Sequence, residues 1–174
     1  MPTVAELRHR LAGTPATLRS VIATLPAGAL TYREATGCWT PLEVLGHLTD
    51  AEVHDWIPRV RVILSDAADK RFPPFDREHG LTYYRDWSAA AVLDEFERRR
   101  RDSLATLDAF QIGDDNLARK GIHPEFGPVT LGQLLACWVT HDYAHLAQIS
   151  RTLVHDVGRY AGPWRAYFSL LRDR

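Results

Sequence analysis

The chain has 174 residues, of which 45% are hydrophobic and 25% charged, with a formal net charge of -1 at pH 7. That is enough for one domain with a buried core, expected over residues 1–174, and the balanced charge leaves no electrostatic excess to grip a nucleic-acid backbone or an anionic membrane. No apolar run approaches the roughly 18 residues of a membrane span, and Glu6, Arg8, His9 and Arg10 break the stretch where a signal peptide would be apolar, so the expected location is the cytoplasm.

Leu7, Leu11, Leu18, Val21, Ile22 and Leu25 recur at three, four and seven, which predicts an amphipathic helix from about Thr3 to Leu25 with a kink at Gly13 and Pro15. Pro26 to Trp39 carries turn residues without a period. Thr40-Pro41-Leu42-Glu43 then supplies an N-cap, a first-turn proline and a capping-box glutamate. The second helix starts there and runs to about Ser65, with a bend at Pro58. Asp66 to Trp87 shows no helical period and is too rich in aromatic residues for disorder. Ser88 caps a third helix with an apolar stripe of Val92, Phe96, Ser103, Leu104 and Leu107. On it, Asp94/Arg98, Glu95/Arg99 and Glu97/Arg101 stand at i,i+4, so the Arg98 to Arg101 run reads as a solvated face. Gln111 to Val129 is irregular. Thr130-Leu131-Gly132-Gln133 is a second capping box and opens a fourth helix from about Leu131 to Val154, and Pro163 opens a short fifth that would seat Trp164, Tyr167, Phe168 and Leu171. With no convincing alternating strand, this is an all-α four-helix bundle with a long crossover between helices two and three and a short C-terminal helix.

Helix four carries the most specific pattern. Leu134, Trp138, His141, His145, Gln148 and Thr152 form one stripe. A spacing of four turns a helix through about 400° with about 6 Å of rise, so His141 and His145 project from one face and can meet on one ion. The competing reading is a chance pair of hydrogen-bonded core imidazoles. A third ligand is best supplied by His47, set in the apolar Leu45-Gly46-His47-Leu48 turn, where Gly46 allows a close helix approach. His54 lies seven residues on, about 10.5 Å along the axis, too far to share that ion. It lines the approach to the site or sits on the surface. His9, His79, His123 and His155 read as surface residues. Cys137 lies about 12 Å along the helix from His145, so it reads as a small buried hydrophobe, with Cys38 near the surface. Two cysteines are too few for a disulfide framework or a four-thiolate zinc site. Asp142-Tyr143-Ala144 between the paired histidines lacks the glutamate of zinc proteases.

Gly37-Cys38-Trp39-Thr40-Pro41-Leu42-Glu43-Val44-Leu45-Gly46-His47-Leu48 and Thr140-His141-Asp142-Tyr143-Ala144-His145-Leu146-Ala147-Gln148-Ile149 resemble the two signatures of the DinB-like superfamily. Gly121 to Thr130 resembles the approach to the last core helix in that family, so the likeness covers most of residues 3 to 154. It implies a four-helix bundle, often a homodimer, whose divalent metal is held by His47, His141 and His145. It also implies an activity among thiol transferases using bacillithiol or mycothiol, a mycothiol-dependent maleylpyruvate isomerase, and metal-dependent hydrolases.

The first expectation for function is therefore a metal-dependent enzyme that activates a low-molecular-weight thiol, as cosubstrate, for transfer to a small electrophilic substrate. Zinc or nickel is the expected ion, then iron or manganese, since imidazole suits several of these alike. Asp50 and Asp142 are candidates to orient the ligand imidazoles, with an ordinary helix charge as the alternative. Arg100 either binds an anionic substrate group or snorkels to solvent. The alternatives are metal-dependent hydrolysis, which calls for a general base that the sequence does not display, and a non-catalytic metal- or ligand-binding stress protein in which the Phe72 to Trp87 loop closes over a small molecule.

Overall fold

A computed structural model describes residues 2–171. The single-domain expectation over residues 1–174 extends beyond these to Met1 and to residues 172–174, which lie outside the described residues. The elements are α1 (Val4–Ile22), α2 (Ala27–Leu30), α3 (Pro41–Ala51), a π-helical turn (Glu52–Trp56), α4 (Ile57–Leu64), α5 (His79–Tyr83), α6 (Ala89–Ala109), β1 (Lys120–His123), β2 (Gly127–Thr130) and α7 (Leu131–Gly158).

The helix starts follow local chemistry. In α3 the Thr40 hydroxyl accepts from the Glu43 amide while the Glu43 carboxylate accepts from the Thr40 amide, and Thr130 with Gln133 does the same for α7. Thr3 and Glu6 form a third such box on α1, which continues through Pro15 without a break. The expected second helix is a composite of α3, the wide turn and α4. Pro58 has no amide to donate and its ring would press on the carbonyl four residues back, and the wide turn just before it relieves that clash.

Four long rods make the bundle: α1, the α3–α4 composite, α6 and α7. α1 packs on α6 and α7, and α3 packs on the same two, so the order around the bundle is α1, α6, α3, α7. The core falls into two apolar halves, one around Leu11, Trp56, Ile63, Leu131 and Trp138, the other around Leu18, Leu45, Leu48, Phe96 and Ile149. Between them lies a polar layer. Arg100 is 1% exposed and donates to Glu52 Oε1 (2.7 Å), to both Asp142 oxygens (2.7 and 3.0 Å) and to the Leu11 carbonyl (2.7 Å). Thr14 donates to Asp142 (2.6 Å) and the Trp138 indole to Glu52 (3.1 Å). Burial opposes the Arg100 charge, yet the two carboxylates outweigh it and hold its pKa above the ordinary value. Burial pushes Glu52 up in spite of Arg100.

This corrects the reading of Arg98 to Arg101 as one solvated face and disposes of both expectations for Arg100, which neither snorkels nor is free for a substrate anion. Glu95–Arg99 and Glu97–Arg101 pair as expected, whereas Arg98 pairs with Glu95 and Asp102, and Asp94 with Arg19. The absence of strands is corrected as well. β1 and β2 form an antiparallel hairpin with Lys120 opposite Thr130, and the crossover joins it, with Phe72 donating to the Ile122 carbonyl (2.9 Å). The C-terminal segment is two 3-10 turns, Gly162–Tyr167 and Ser169–Leu171, entered through Gly162 at φ +54°. Leu171 seats against Gly158, but Trp164, Tyr167 and Phe168 are exposed. Three-residue winding puts Trp164 and Tyr167 on one outward face.

The crossover is held to α3 by a glycine contact. A Cβ on Gly46 would stand 2.9 Å from the Gly80 carbonyl oxygen, and one on Gly80 would stand 2.6 Å from that of Gly46 and 2.8 Å from Asp50 Cβ. The close approach expected at Gly46 is thus made by α5, which brings residues 77–80 beside His47 and Asp50.

Replacing Arg100 with methionine leaves Glu52 and Asp142 buried without their cation. The expected loss is about 3–5 kcal/mol of unfolding free energy, read from urea denaturation.

Candidate metal centre

α3 and α7 are neighbours in the bundle, and their histidines meet. His47 Nε2 lies 3.0 Å from His141 Nε2, and His145 Nε2 lies 3.1 Å from the same atom. Two nitrogens bound to one ion at about 2.0–2.1 Å stand about 2.9 Å apart at a right angle and about 3.4 Å apart at a tetrahedral angle. The observed separations fall within that range without moving a ring.

The far nitrogens set the tautomers. His47 Nδ1 donates to the Arg77 carbonyl (3.2 Å), and His145 Nδ1 donates to Gln148 Oε1 (2.8 Å). A neutral imidazole protonated at Nδ1 offers a lone pair at Nε2, so two lone pairs converge on the His141 nitrogen. One proton on that nitrogen can make only one well-formed bond at a time, and a cation satisfies all three rings. The His141 Nδ1 is buried without a partner, and its ring stands edge-on to Trp56 at 5.1 Å.

Electrostatics keeps these rings neutral. Burial, helped by the neighbouring imidazoles, lowers the His47 pKa to about 4 and that of His141 to about 2. Burial also lowers His145, against its bond to Gln148. Protons then compete weakly for the lone pairs an ion needs. The surround is apolar: Trp39 lies 4.9 Å from the His47 ring and stacks on His145 at 6.1 Å, and Phe75 lies 5.8 Å from His47. Trp39 is also a wall of two open clefts of about 480 and 320 Å³, neither lined by the imidazoles.

The three rings singled out in the sequence lie together, but neither aspartate expected to orient them does so. Asp142 projects away to Arg100 and Thr14, and Asp50 pairs with His79 and His54. The acceptors are instead the Arg77 carbonyl, which no side-chain pattern announces, and Gln148, which lies three residues after His145 on the same stripe. Cys137 is exposed and Cys38 half-buried, so the buried-hydrophobe reading of Cys137 is wrong. His9 is exposed, His123 stacks on Phe126 and His155 lies 3.4 Å from Glu34. His54 and His79 are both exposed and lie apart from the three-ring cluster, grouped with Asp50.

The DinB superfamily model matches residues 10–149, and the chain belongs to that family. Among solved structures it is similar to YfiT from Bacillus subtilis, described as a probable metal-dependent hydrolase with an unusual four-helix bundle topology. The TM-score is 0.73 at 20% identity, over 88% of this chain and 87% of that one. It is also similar to TT2238, a four-helix bundle protein, with a TM-score of 0.57 at 20% identity over 84% of this chain and 97% of that one. At that identity the two neighbours show a shared fold. No curated protein matches significantly. No helix among the described residues is long and apolar enough to cross a membrane.

The depressed imidazoles set a pH window. Below the ordinary value of 6.5 the unfolded chain takes up protons that folded His47 refuses until about 4 and His141 until about 2. Stability of the metal-stripped protein from this source is full above pH 6.5 and falls as pH drops through the window. Asp55, pushed up to about 6 chiefly by burial, acts in the opposite sense there. The urea midpoint of wild type minus that of His141→Leu isolates the part due to His141. It is expected to shrink as pH falls, and a constant difference contradicts the assignment.

Proposed function

We propose that the chain is a divalent-metal-dependent enzyme in which His47, His141 and His145 hold one ion, zinc or nickel before iron or manganese. Bound there, the ion would supply the charge that ionises a low-molecular-weight thiol for transfer to a small electrophile. The observation that carries the reading is the convergence of three neutral imidazole nitrogens at 3.0 and 3.1 Å inside an aromatic surround. An ion there supplies Lewis-acid charge that lowers the pKa of a thiol or water entering beside it.

The surrounding residues favour the thiol. Among the described residues no carboxylate hydrogen-bonds to the three rings: Glu52 and Asp142 are tied to Arg100, and Asp50 to His54 and His79. A thiol of pKa about 8.5 is ionised outright on coordination to zinc, whereas water on the aqueous zinc ion still titrates at about 9. A site without a base handles the first more easily. The sulfur forms a bond to the electrophilic carbon as the leaving group departs with its electron pair, and the thiol proton goes to solvent. Trp39 and Phe75 offer an apolar wall for the electrophile, and the Arg77 carbonyl and Gln148 hold His47 and His145 in the ligating tautomer. Cytoplasmic location and a homodimer complete the proposal.

A second reading, hydrolysis of a small ester or amide, is favoured by the description of YfiT.

After desalting, elemental analysis of the wild-type protein is expected to find about one ion per chain, and His141→Ala to lose it. Retention by that variant refutes the centre. Metal-dependent consumption of a thiol with a halodinitrobenzene or an epoxide supports transfer. Turnover of esters or amides without thiol supports the hydrolase instead.

A further inference from the structure

A second cluster of donors lies on the other side of Phe75. Asp50 Oδ1 stands 2.9 Å from His79 Nδ1 and 3.6 Å from His54 Nε2, and one donor atom from each of the three residues lies within 4.8 Å of the others. Asp50 and His54 are four apart across the junction of α3 with the wide turn, and His79 is delivered from the crossover by the Gly46–Gly80 contact.

The carboxylate is the unusual member. Asp50 is 2% exposed, and its second oxygen, Oδ2, is buried with no hydrogen-bond partner. Among the described residues no arginine or lysine pairs with it. Its ion-pair partners are the two imidazoles. A buried carboxylate in that position lacks a fixed counter-charge, and this usually calls for a cation. Both rings meet solvent, His54 at 53% and His79 at 48% side-chain exposure. They border an open cleft of about 400 Å³ shared with Val53, Pro73 and Phe75. An ion can enter, and the exposed rings can turn to close the longer separations.

We infer that Asp50, His54 and His79 form a second divalent-cation site, independent of the three-imidazole centre. Two imidazoles and one carboxylate with a solvent-facing side suit zinc and its neighbours in the first transition row. Phe75 separates the sites, since its ring lies against His47 and also lines this cleft. Because one ligand comes from α5 and two from the α3 rod, occupancy ties the crossover to the bundle by coordination as well as by packing. The second site is open to water on one side and is the weaker of the two, so desalting removes its ion.

The test uses the whole chain, stripped with a chelator and titrated with zinc against a chromophoric competitor, counting ions bound. Asp50→Asn leaves a buried amide and risks the fold, so the discriminating variant is His54→Ala with His79→Ala, both exposed, checked by circular dichroism. Wild type is expected to bind one more zinc per chain than this double variant, and His141→Ala to keep the extra ion. Zinc is also expected to protect the Asp66 to Trp87 segment from proteolysis in His141→Ala, and not when the two exposed histidines are removed as well. Equal stoichiometry for wild type and the double variant overturns the second site. Retention of both ions by His141→Ala counts against the first centre and leaves the second standing.

Discussion

The buried cation at the midpoint of the bundle is the constraint on which the other parts depend. Arg100 reaches Glu52 on one neighbouring rod and Asp142 on α7 at once. Each ion has lost its water, so the layer is favourable only when all of its hydrogen bonds are made together. Asp142 is therefore turned inward to the layer, and His141 and His145 are directed toward α3. Glu52 fixes the α3 rod in the same way, which directs His47 toward α7. The distances among the imidazole nitrogens are thus set partly by an ion pair that touches none of them. Apolar packing alone tolerates rotational slippage of smooth rods, and the polar layer removes that freedom.

What the sequence displayed depended on how local the cause was. The boxes at Thr40–Glu43 and Thr130–Gln133 act within four residues and were legible. So were His141 and His145, whose spacing is that of the helix itself, and His47, whose apolar neighbours showed that it faced inward. The burial of Arg100 was obscured by its neighbours. Four consecutive arginines with acidic residues one turn earlier look solvated, and only the position between Phe96 and Leu104 on the apolar stripe marked this one as different. The hairpin was missed because Gly121, Gly127 and Pro128 disfavour strand and four residues are too few to show alternation. The Asp50–His54–His79 group was invisible for a third reason. Its first two members stand one turn apart, but the third comes from a crossover whose path is decided by the contact of Gly46 with Gly80, a tertiary event with no periodic signature.

The crossover then has a chemical part beyond connecting two rods. Its Arg77 carbonyl sets the proton of His47, its Phe75 ring walls the imidazole cluster, and its His79 meets Asp50. A segment of about 20 residues without long secondary structure is costly to order unless such contacts repay the lost freedom. Here they are concentrated within five residues. The likeness to other four-helix bundles at 20% identity shows a shared fold framed by such rods. The chemistry of this chain is set in good part by what its own crossover places beside them.

The wide turn at Glu52–Trp56 has a consequence for the spacing of the whole rod. Such a turn accommodates one residue more than regular winding allows, which advances everything downstream by roughly 100° about the axis. His47 and Asp50 lie before this phase slip, and Val60 and Ile63 after it, so the two ends of one rod present their inner faces under different registers. The segment before the turn carries His47 and Asp50 beside the core residues Leu45 and Leu48, and the segment after it packs Val60 and Ile63 into the other half of the core. Excision of a single amino acid from the turn would restore uniform winding, and one end or the other would then face the wrong way.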